Sequence, residues 1–226
     1  FQHVSKRYEG GVKALQDVSF SLASGEMAFL TGHSGAGKST LLRLVLMLER
    51  PSAGKLLVND RDLCVTPSRH AHLVRQQIGM IFQDHKLLQE KTVFDNVALP
   101  LLIAGLDYQE IGKRVRAALD MVGLLPRERS WPGMLSGGEQ QRVGIARAVV
   151  GMPPVLLADE PTGNLDPDLS RSLFDLFRQL NEHGVTVLIA SHDLSLIRSM
   201  GQRVLVLSDG RLVDDISAQE VGRSRA

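Results

Sequence analysis

The sequence predicts an α/β fold with a helical insertion at about residues 84–150 and an antiparallel β portion near the N-terminus. Short apolar runs at 27–31, 155–158, 185–190 and 204–207 are bounded by Gly, Pro or Asp, which is typical of parallel strands covered by helices on both faces. Residues 91–150 show helical periodicity instead. A glycine-rich segment follows the first of these strands and precedes a helix, as in many phosphate-binding α/β proteins.

Composition narrows the class of protein. The 226 residues are 43% hydrophobic and 23% charged, which excludes a disordered chain. The formal net charge is only +1, whereas a protein that binds nucleic acid non-specifically usually carries a clear excess of positive charge. A single cysteine, Cys64, excludes a disulfide framework. No apolar run approaches the roughly 20 residues that span a bilayer, so we expect a cytosolic protein whose membrane role needs a partner.

The remaining elements follow in chain order. Apolar alternation around Val4 and Tyr8 predicts an opening strand, and residues 18–22 a second. A helix is expected at 38–48, and further strands at 55–58 and 78–82. An apolar stripe at spacings of three and four residues predicts an amphipathic helix; it consists of Ile111, Val115, Leu119 and Val122. Off this stripe lie Lys113, Arg114 and Arg116, which we expect on the solvated face of the helix. Ser208-Asp209-Gly210 predicts a hairpin turn, and the tail from Ser217 is expected to fray.

The glycine-rich segment has the pattern of a phosphate-binding loop. It is G-x-x-x-x-G-K-[ST], spelled Gly32-His33-Ser34-Gly35-Ala36-Gly37-Lys38-Ser39. The glycines let successive N–H groups point at phosphate oxygens, and the helix N-terminus that follows adds a favourable dipole. Lys38 is predicted to contact the β- and γ-phosphates, and the Ser39 hydroxyl to bind Mg²⁺. An incidental lysine after a glycine turn is the alternative, which the strand–loop–helix context disfavours.

Two carboxylates complete such a site. The apolar run 155–158 ends in Asp159 and Glu160, at the strand end where α/β sheets bind ligands. Asp159 is predicted to hold Mg²⁺, directly or through water, and Glu160 to polarise the attacking water. His192 follows another strand and could hydrogen-bond the γ-phosphate, although a lone histidine is more often structural. His70 and His72 are too few ligands to predict a metal site.

The order of the motifs resembles the ATP-binding cassette (ABC) ATPases over essentially the whole chain. Leu135-Ser136-Gly137-Gly138-Glu139-Gln140 resembles the signature sequence of that family. The resemblance implies that Tyr8 stacks on adenine, that Thr40 extends the phosphate loop and that Gln83 senses Mg²⁺ and faces a membrane partner. It further implies a D-loop at Asn164-Leu165-Asp166 and a switch histidine at His192. The chain would then be one nucleotide-binding domain with an RecA-like core (1–83 and 151–226) and a helical subdomain (84–150).

The family resemblance also implies a mechanism. Two copies associate head to tail, and the signature of one copy closes over the ATP held by the other, so the cofactors are ATP and Mg²⁺. Lys38, Gln83, Glu160 and His192 would form the catalytic set, and Ser39, Gln83 and Asp159 would contribute to the metal site. Because this set is complete, we expect a working ATPase, in contrast to a scaffold that binds ATP without turnover.

Within the family, residues 32–42, 79–85 and 135–148 resemble the ATPases of bacterial cell division. That resemblance implies a membrane-protein partner at the cytoplasmic face of the inner membrane, which relays closure to periplasmic activators of peptidoglycan hydrolases. The partner would dock on a groove formed by 83–88 and part of 92–102, although its apolar residues, Val93, Phe94, Leu99 and Leu101, are each more simply core residues. Lipoprotein-release and macrolide-export ATPases remain the alternative. A soluble switch acting on DNA or ribosomes is disfavoured by the near-zero net charge.

Overall fold

The computed structural model describes residues 1–163 and 167–223. They form two compact units: the first comprises residues 1–75 with 186–223, and the second comprises 76–185 apart from 164–166. The sequence-based division at 83/84 and 150/151 therefore differs from the boundaries between these units. Within the described residues, the elements are β1 (Gln2–Arg7), β2 (Lys13–Val18), β3 (Met27–Thr31), α1 (Lys38–Val45), β4 (Ala53–Lys55), β5 (Leu57–Val58), β6 (Arg61–Asp62), α2 (Ala71–Arg75), β7 (Ile78–Ile81), α3 (Val93–Ile103), α4 (Tyr108–Met121), α5 (Gly137–Val149), β8 (Val155–Asp159), α6 (Pro167–Glu182), β9 (Thr186–Ala190), α7 (Leu194–Met200), β10 (Arg203–Ser208), β11 (Arg211–Ile216) and α8 (Ala218–Arg223).

The first unit is built on two groups of strands. An antiparallel group has the order β2-β1-β4, and a second group has the order β11-β10-β3-β9. In the second group β3 pairs in parallel with both β9 and β10, and only β11 is antiparallel. Every residue of β3 is buried. A strand that is buried on both faces reads as a continuous apolar run, which is why residues 27–31 could be assigned from sequence without alternation.

The second unit packs three helices around one apolar core beside a parallel pair, β7 and β8. The predicted stripe of α4 is confirmed: Ile111, Val115 and Leu119 are buried in that core, with Val122 packed against it. The solvated face is confirmed for Lys113 and Arg116, which are exposed, whereas Arg114 is half-buried and pairs with Glu110 at 2.7 Å, one helical turn away. Helices α3 and α5 supply most of the rest of this core, and residues outside the three helices complete it: Leu87, Leu124, Leu135 and Val150.

The structure corrects three expectations. The second strand is Lys13–Val18, not 18–22, because the β1–β2 ladder is irregular and Asp17 has φ +56°, which breaks the alternation. Helix α1 ends at Val45, three residues early. The tail is ordered as α8 up to Arg223: the Ser217 hydroxyl accepts a hydrogen bond from the Glu220 amide, and Val221 is buried.

None of the helices among the described residues is long and apolar enough to cross a membrane.

Candidate nucleotide-binding site

The phosphate loop lies between β3 and α1, as predicted, and two of its glycines are required by close packing. A Cβ at Gly32 would lie 2.2 Å from the Leu207 carbonyl oxygen. A Cβ at Gly37, whose φ is +108°, would lie 2.6 Å from the Ala14 carbonyl oxygen. Only glycine therefore fits where the loop leaves the strand and enters the helix.

Lys38 is folded into its own loop. Its side chain is buried, and its Nζ donates hydrogen bonds to the carbonyl oxygens of Gly32 (2.7 Å) and His33 (3.2 Å). The ammonium is thus held against the carbonyl groups of the loop, while the residues Ser34 and Gly35 are exposed. A fixed cation surrounded by a glycine-rich backbone at a helix N-terminus is an arrangement suited to a polyphosphate.

The turn between β10 and β11 supports the loop from the side. The Gly210 amide donates to the Ala36 carbonyl oxygen at 3.1 Å. The His33 ring contacts both its neighbour and this turn: Nδ1 lies 2.7 Å from the Ser34 carbonyl oxygen, and Nε2 lies 3.5 Å from the Asp209 carboxylate. The loop is consequently attached to the strand pair beside it.

Tyr8 lies beside the end of the phosphate loop. Its hydroxyl is 3.5 Å from the Thr40 hydroxyl, in the first turn of α1. The Lys6 ammonium lies 4.9 Å from the centre of the Tyr8 ring and is fixed by a 2.8 Å ion pair with Glu49. The half-buried ring therefore has a cation on one face, and stacking on adenine would use the other.

His192 is exposed just beyond the end of β9, in the first unit. Its neighbour Asp193 caps α7 by accepting a hydrogen bond from the Leu196 amide at 3.0 Å. The Ser195 hydroxyl, the Leu196 amide and His192 together hold the pKa of Asp193 below its ordinary value. The backbone beside His192 is thus fixed by the start of a helix.

The second unit carries the two carboxylates. Asp159 is the last residue of β8, and Glu160 follows with φ +47°, a left-handed conformation that is rare for a residue with a side chain. Such a conformation costs about 1–3 kcal/mol and is found most often at functional sites. The next residue is anchored, because the buried Gln141 side chain donates to the Pro161 carbonyl oxygen at 2.9 Å.

Ser136, Gly137 and Gly138 lie at a helix N-terminus, as predicted. Ser136 caps α5 in a capping box with Glu139: each side chain accepts a hydrogen bond from the other's backbone amide. The Ser136 amide is the main reason that the pKa of Glu139 is lowered, and Arg127 adds to it. Leu135 is buried, and its carbonyl oxygen accepts from the Gln140 side chain.

Gln83 is exposed in the turn that follows β7. Two of the four apolar residues that were considered for docking are core residues, since Val93 and Leu101 are buried. Phe94 and Leu99 are half-buried, and the Phe94 ring lies under the Arg116 guanidinium. The predicted D-loop residues, Asn164, Leu165 and Asp166, lie outside the described residues.

Comparison with known proteins settles the family. The model of the ABC transporter family matches residues 15–163, about two thirds of the chain. The chain belongs to the ABC transporter ATPases. The matched region includes Lys38, Gln83, the signature and Glu160, whereas Tyr8 and His192 lie outside it.

Individual relatives agree with this assignment. The chain is 60% identical over 212 residues to the cell division ATP-binding protein FtsE of Escherichia coli, covering 94% of this chain and 96% of that protein. It is 49% identical to FtsE of Haemophilus influenzae, covering 94% and 98%.

Two solved structures have the same fold. Dimeric MJ0796, a bacterial ABC transporter cassette, superposes with a TM-score of 0.91 at 34% identity, covering 96% of this chain and 97% of that one. The post-hydrolysis MJ0796 dimer with ADP and Pi gives 0.90 at 33% identity over 96% and 97%. The fold is that of a P-loop ATPase of the ABC type, and the chain is an ABC-type ATPase.

Three residues that organise the second unit were not found by the sequence analysis in these roles. Gln141 anchors the residue after Glu160, Asn96 is fully buried in α3, and Arg147 contacts the chain beyond Gln83. A signal existed for Asn96, because it lies on the same helical face as Val93 and Val97. For Arg147 there was none, since its partners are backbone carbonyl groups.

Proposed function

We propose that this chain is the ATP-hydrolysing subunit of an FtsE–FtsX complex that regulates peptidoglycan hydrolysis in bacterial cell division. The observation that carries the proposal is the 60% identity to Escherichia coli FtsE across 96% of that protein. Likeness over nearly the whole length goes beyond the ATP motifs that every cassette shares. The partner would be an FtsX-like membrane protein, with periplasmic hydrolase activators as indirect partners and no nucleic acid.

ATP binding is proposed for the phosphate loop and Tyr8. Lys38 already has its ammonium against the carbonyl groups of the loop, which supports a contact with the β- and γ-phosphates. The exposure of residues 33–35 in the loop supports phosphate binding by their amide groups. The half-buried Tyr8 ring beside the first turn of α1 supports stacking on adenine.

Mg²⁺ is proposed to bind with the nucleotide through Ser39, Gln83 and Asp159. Their donors are hydroxyl, amide and carboxylate oxygens, which are the ligands that Mg²⁺ prefers. The ion would neutralise charge that develops on the phosphate oxygens. Glu160 is proposed to orient and polarise the attacking water, and His192 to hydrogen-bond the γ-phosphate.

ATP is proposed to hold two copies head to tail. Gly137 and Gly138 present small residues at the start of α5, where amide groups can reach a phosphate of the other copy. Asn164, Leu165 and Asp166 would contribute to the same interface. Closure of the dimer would be transmitted to the membrane partner at the cytoplasmic face of the inner membrane.

The Glu160→Gln variant tests the catalytic part. It should bind ATP, lose hydrolysis and accumulate as an ATP-bound dimer in size-exclusion chromatography, because binding does not need this carboxylate. Glu110→Gln, which breaks the half-buried pair with Arg114 on α4, is the matched control and should keep normal turnover. Undiminished turnover in Glu160→Gln would show that another group is the base.

Affinity capture from membranes of the source cell tests the biological part. Recovery of an FtsX-like protein with four membrane spans supports the proposal. Recovery of a lipoprotein-release or efflux permease would leave the ATPase chemistry in place and replace the cell-division role with export.

A further inference from the structure

The chain after Gln83 adopts an uncommon backbone. His85 and Lys86 have φ values of +58° and +48°, so two consecutive residues with side chains are left-handed. Steric contact of Cβ with the backbone disfavours this conformation, and single residues adopt it more readily than pairs. Successive residues in one helical hand point their carbonyl groups in the same direction. The pair therefore presents two parallel acceptors.

Arg147 on α5 binds both acceptors. One terminal guanidinium nitrogen donates to the Lys86 carbonyl oxygen at 2.7 Å, and the other donates to the His85 carbonyl oxygen at 2.5 Å. Arg147 is half-buried, and this burial lowers the pKa of its guanidinium. The planar two-nitrogen geometry of arginine matches two parallel carbonyl groups, which the point charge of lysine does not.

A second attachment fixes the chain just beyond this pair. The Leu88 amide donates to the Asn96 side chain at 2.8 Å, and Asn96 donates back to the Leu88 carbonyl oxygen at 3.0 Å. Leu87 packs into the helical core. The chain from His85 to Leu88 is therefore attached to α5 and α3, whereas Gln83 lies exposed between this attached stretch and β7.

We propose that Arg147 is a positioning residue for Gln83, which it sets by holding the left-handed pair at His85 and Lys86. Arg147 lies on the helix that begins at the signature serine. The same side chain thus connects the signature helix to the chain that carries Gln83. The inference rests on the proposed function, in which Gln83 contributes to the Mg²⁺ site.

Hydrogen exchange measures the attachment directly, without nucleotide. In Arg147→Gln, amides of residues 82–88 should exchange about tenfold faster, while those of α4 keep their rate. Arg147→Lys should lie between, since it keeps the charge and loses the paired geometry. Arg114→Gln, which removes a half-buried arginine of α4, is the matched control and should leave the exchange of residues 82–88 unchanged. If Arg147→Gln does not fold, Arg147→Lys gives the decisive rate.

The Mg²⁺ concentration that gives half-maximal ATPase activity measures the effect on Gln83. Gln83→Ala should raise it, and Arg147→Gln should raise it about threefold or more in the same direction. Adding Lys86→Gly to Arg147→Gln should restore part of the loss, because glycine adopts the left-handed conformation without a Cβ penalty. A residue that only packed the core would not be rescued in this way.

Two results would overturn the proposal. One is unchanged hydrogen exchange of residues 82–88 in Arg147→Gln. The other is an unchanged Mg²⁺ requirement in Arg147→Gln when Gln83→Ala raises that requirement. Failure of the proposed function is distinguishable, since it would appear as a wild-type chain without ATPase activity. The exchange measurement reads the Arg147 attachment in that case as well.

Discussion

The Asn96 side chain makes four hydrogen bonds within the second unit. It is fully buried in α3, where its Oδ1 accepts from the Leu88 amide at 2.8 Å. Its Nδ2 donates to three carbonyl oxygens, those of Leu88, Lys91 and Thr92, at 2.9–3.2 Å. We predict that Asn96→Ala strongly destabilises this unit.

The magnitude follows from these contacts. An amide group has two protons, so its three donations amount to two full hydrogen bonds, and the acceptor adds a third. At about 1 kcal/mol net for each bond, the loss is about 3 kcal/mol, and the small cavity left by truncation adds a fraction of that. With a urea dependence of about 2–3 kcal/mol/M, the unfolding midpoint should fall by about 1–1.5 M.

Trp131 makes the assay specific. It is the only tryptophan in the chain and lies in the second unit, so its fluorescence during urea unfolding reports on that unit. Asn181→Ala is the matched control: its side chain is half-buried and donates to the Val185 carbonyl oxygen, and we expect a loss of about 1 kcal/mol. A loss below about 1 kcal/mol for Asn96→Ala would refute the reasoning, since water would then replace the side chain at every contact.

Two further predictions concern the first unit. Gly37→Ala should lower the free energy of unfolding by about 2–4 kcal/mol, because strain at φ +108° adds to the clash with Ala14. The control Gly35→Ala has φ +81° but open space around the new Cβ, and should lower the free energy of unfolding by about 1–2 kcal/mol. Equal losses for the two variants in urea titrations would contradict a contribution from the clash. Arg203 holds the pKa of Asp215 below its ordinary value through hydrogen bonds of 2.6–2.7 Å. The pair therefore stabilises the folded state fully above the ordinary Asp pKa of about 4, and this stabilisation is lost as pH falls through the lower pKa of the folded state. Arg203→Gln should therefore be less stable than wild type at pH 7 and lose less stability on acidification to about pH 2; parallel curves for the two proteins would exclude this linkage.

How far the sequence predicted the fold depended on burial. Strands β3, β8, β9 and β10 were predicted to within a residue at each end, because continuous apolar runs end at Gly, Pro or Asp. Strand β2 was misplaced, since its ladder with β1 is irregular and its buried residues, Leu15 and Val18, are three positions apart. Helix α8 was missed because, of the side chains described in it, those of residues 218–221, only Val221 is buried, and because it depends on a local cap at Ser217.

The site was predictable where chemistry requires a motif. The phosphate loop appears where its spacing places it, between a strand and a helix. The left-handed backbone of Glu160 and of His85 could not be predicted, since only a few per cent of residues other than glycine adopt it and tertiary contacts decide which ones do. The burial of Val93 and Leu101 required the packing of α3 on its neighbours, which periodicity alone does not distinguish from a docking face.

Cys64 and Trp131 have a practical consequence. They are the only cysteine and the only tryptophan of the chain, and they lie in different compact units. A thiol-reactive dye on Cys64 whose absorption overlaps tryptophan emission would form a resonance energy-transfer pair with Trp131. No residue need be introduced or removed. The native sequence thereby allows the distance between the two units to be followed as ATP is added, hydrolysed and released.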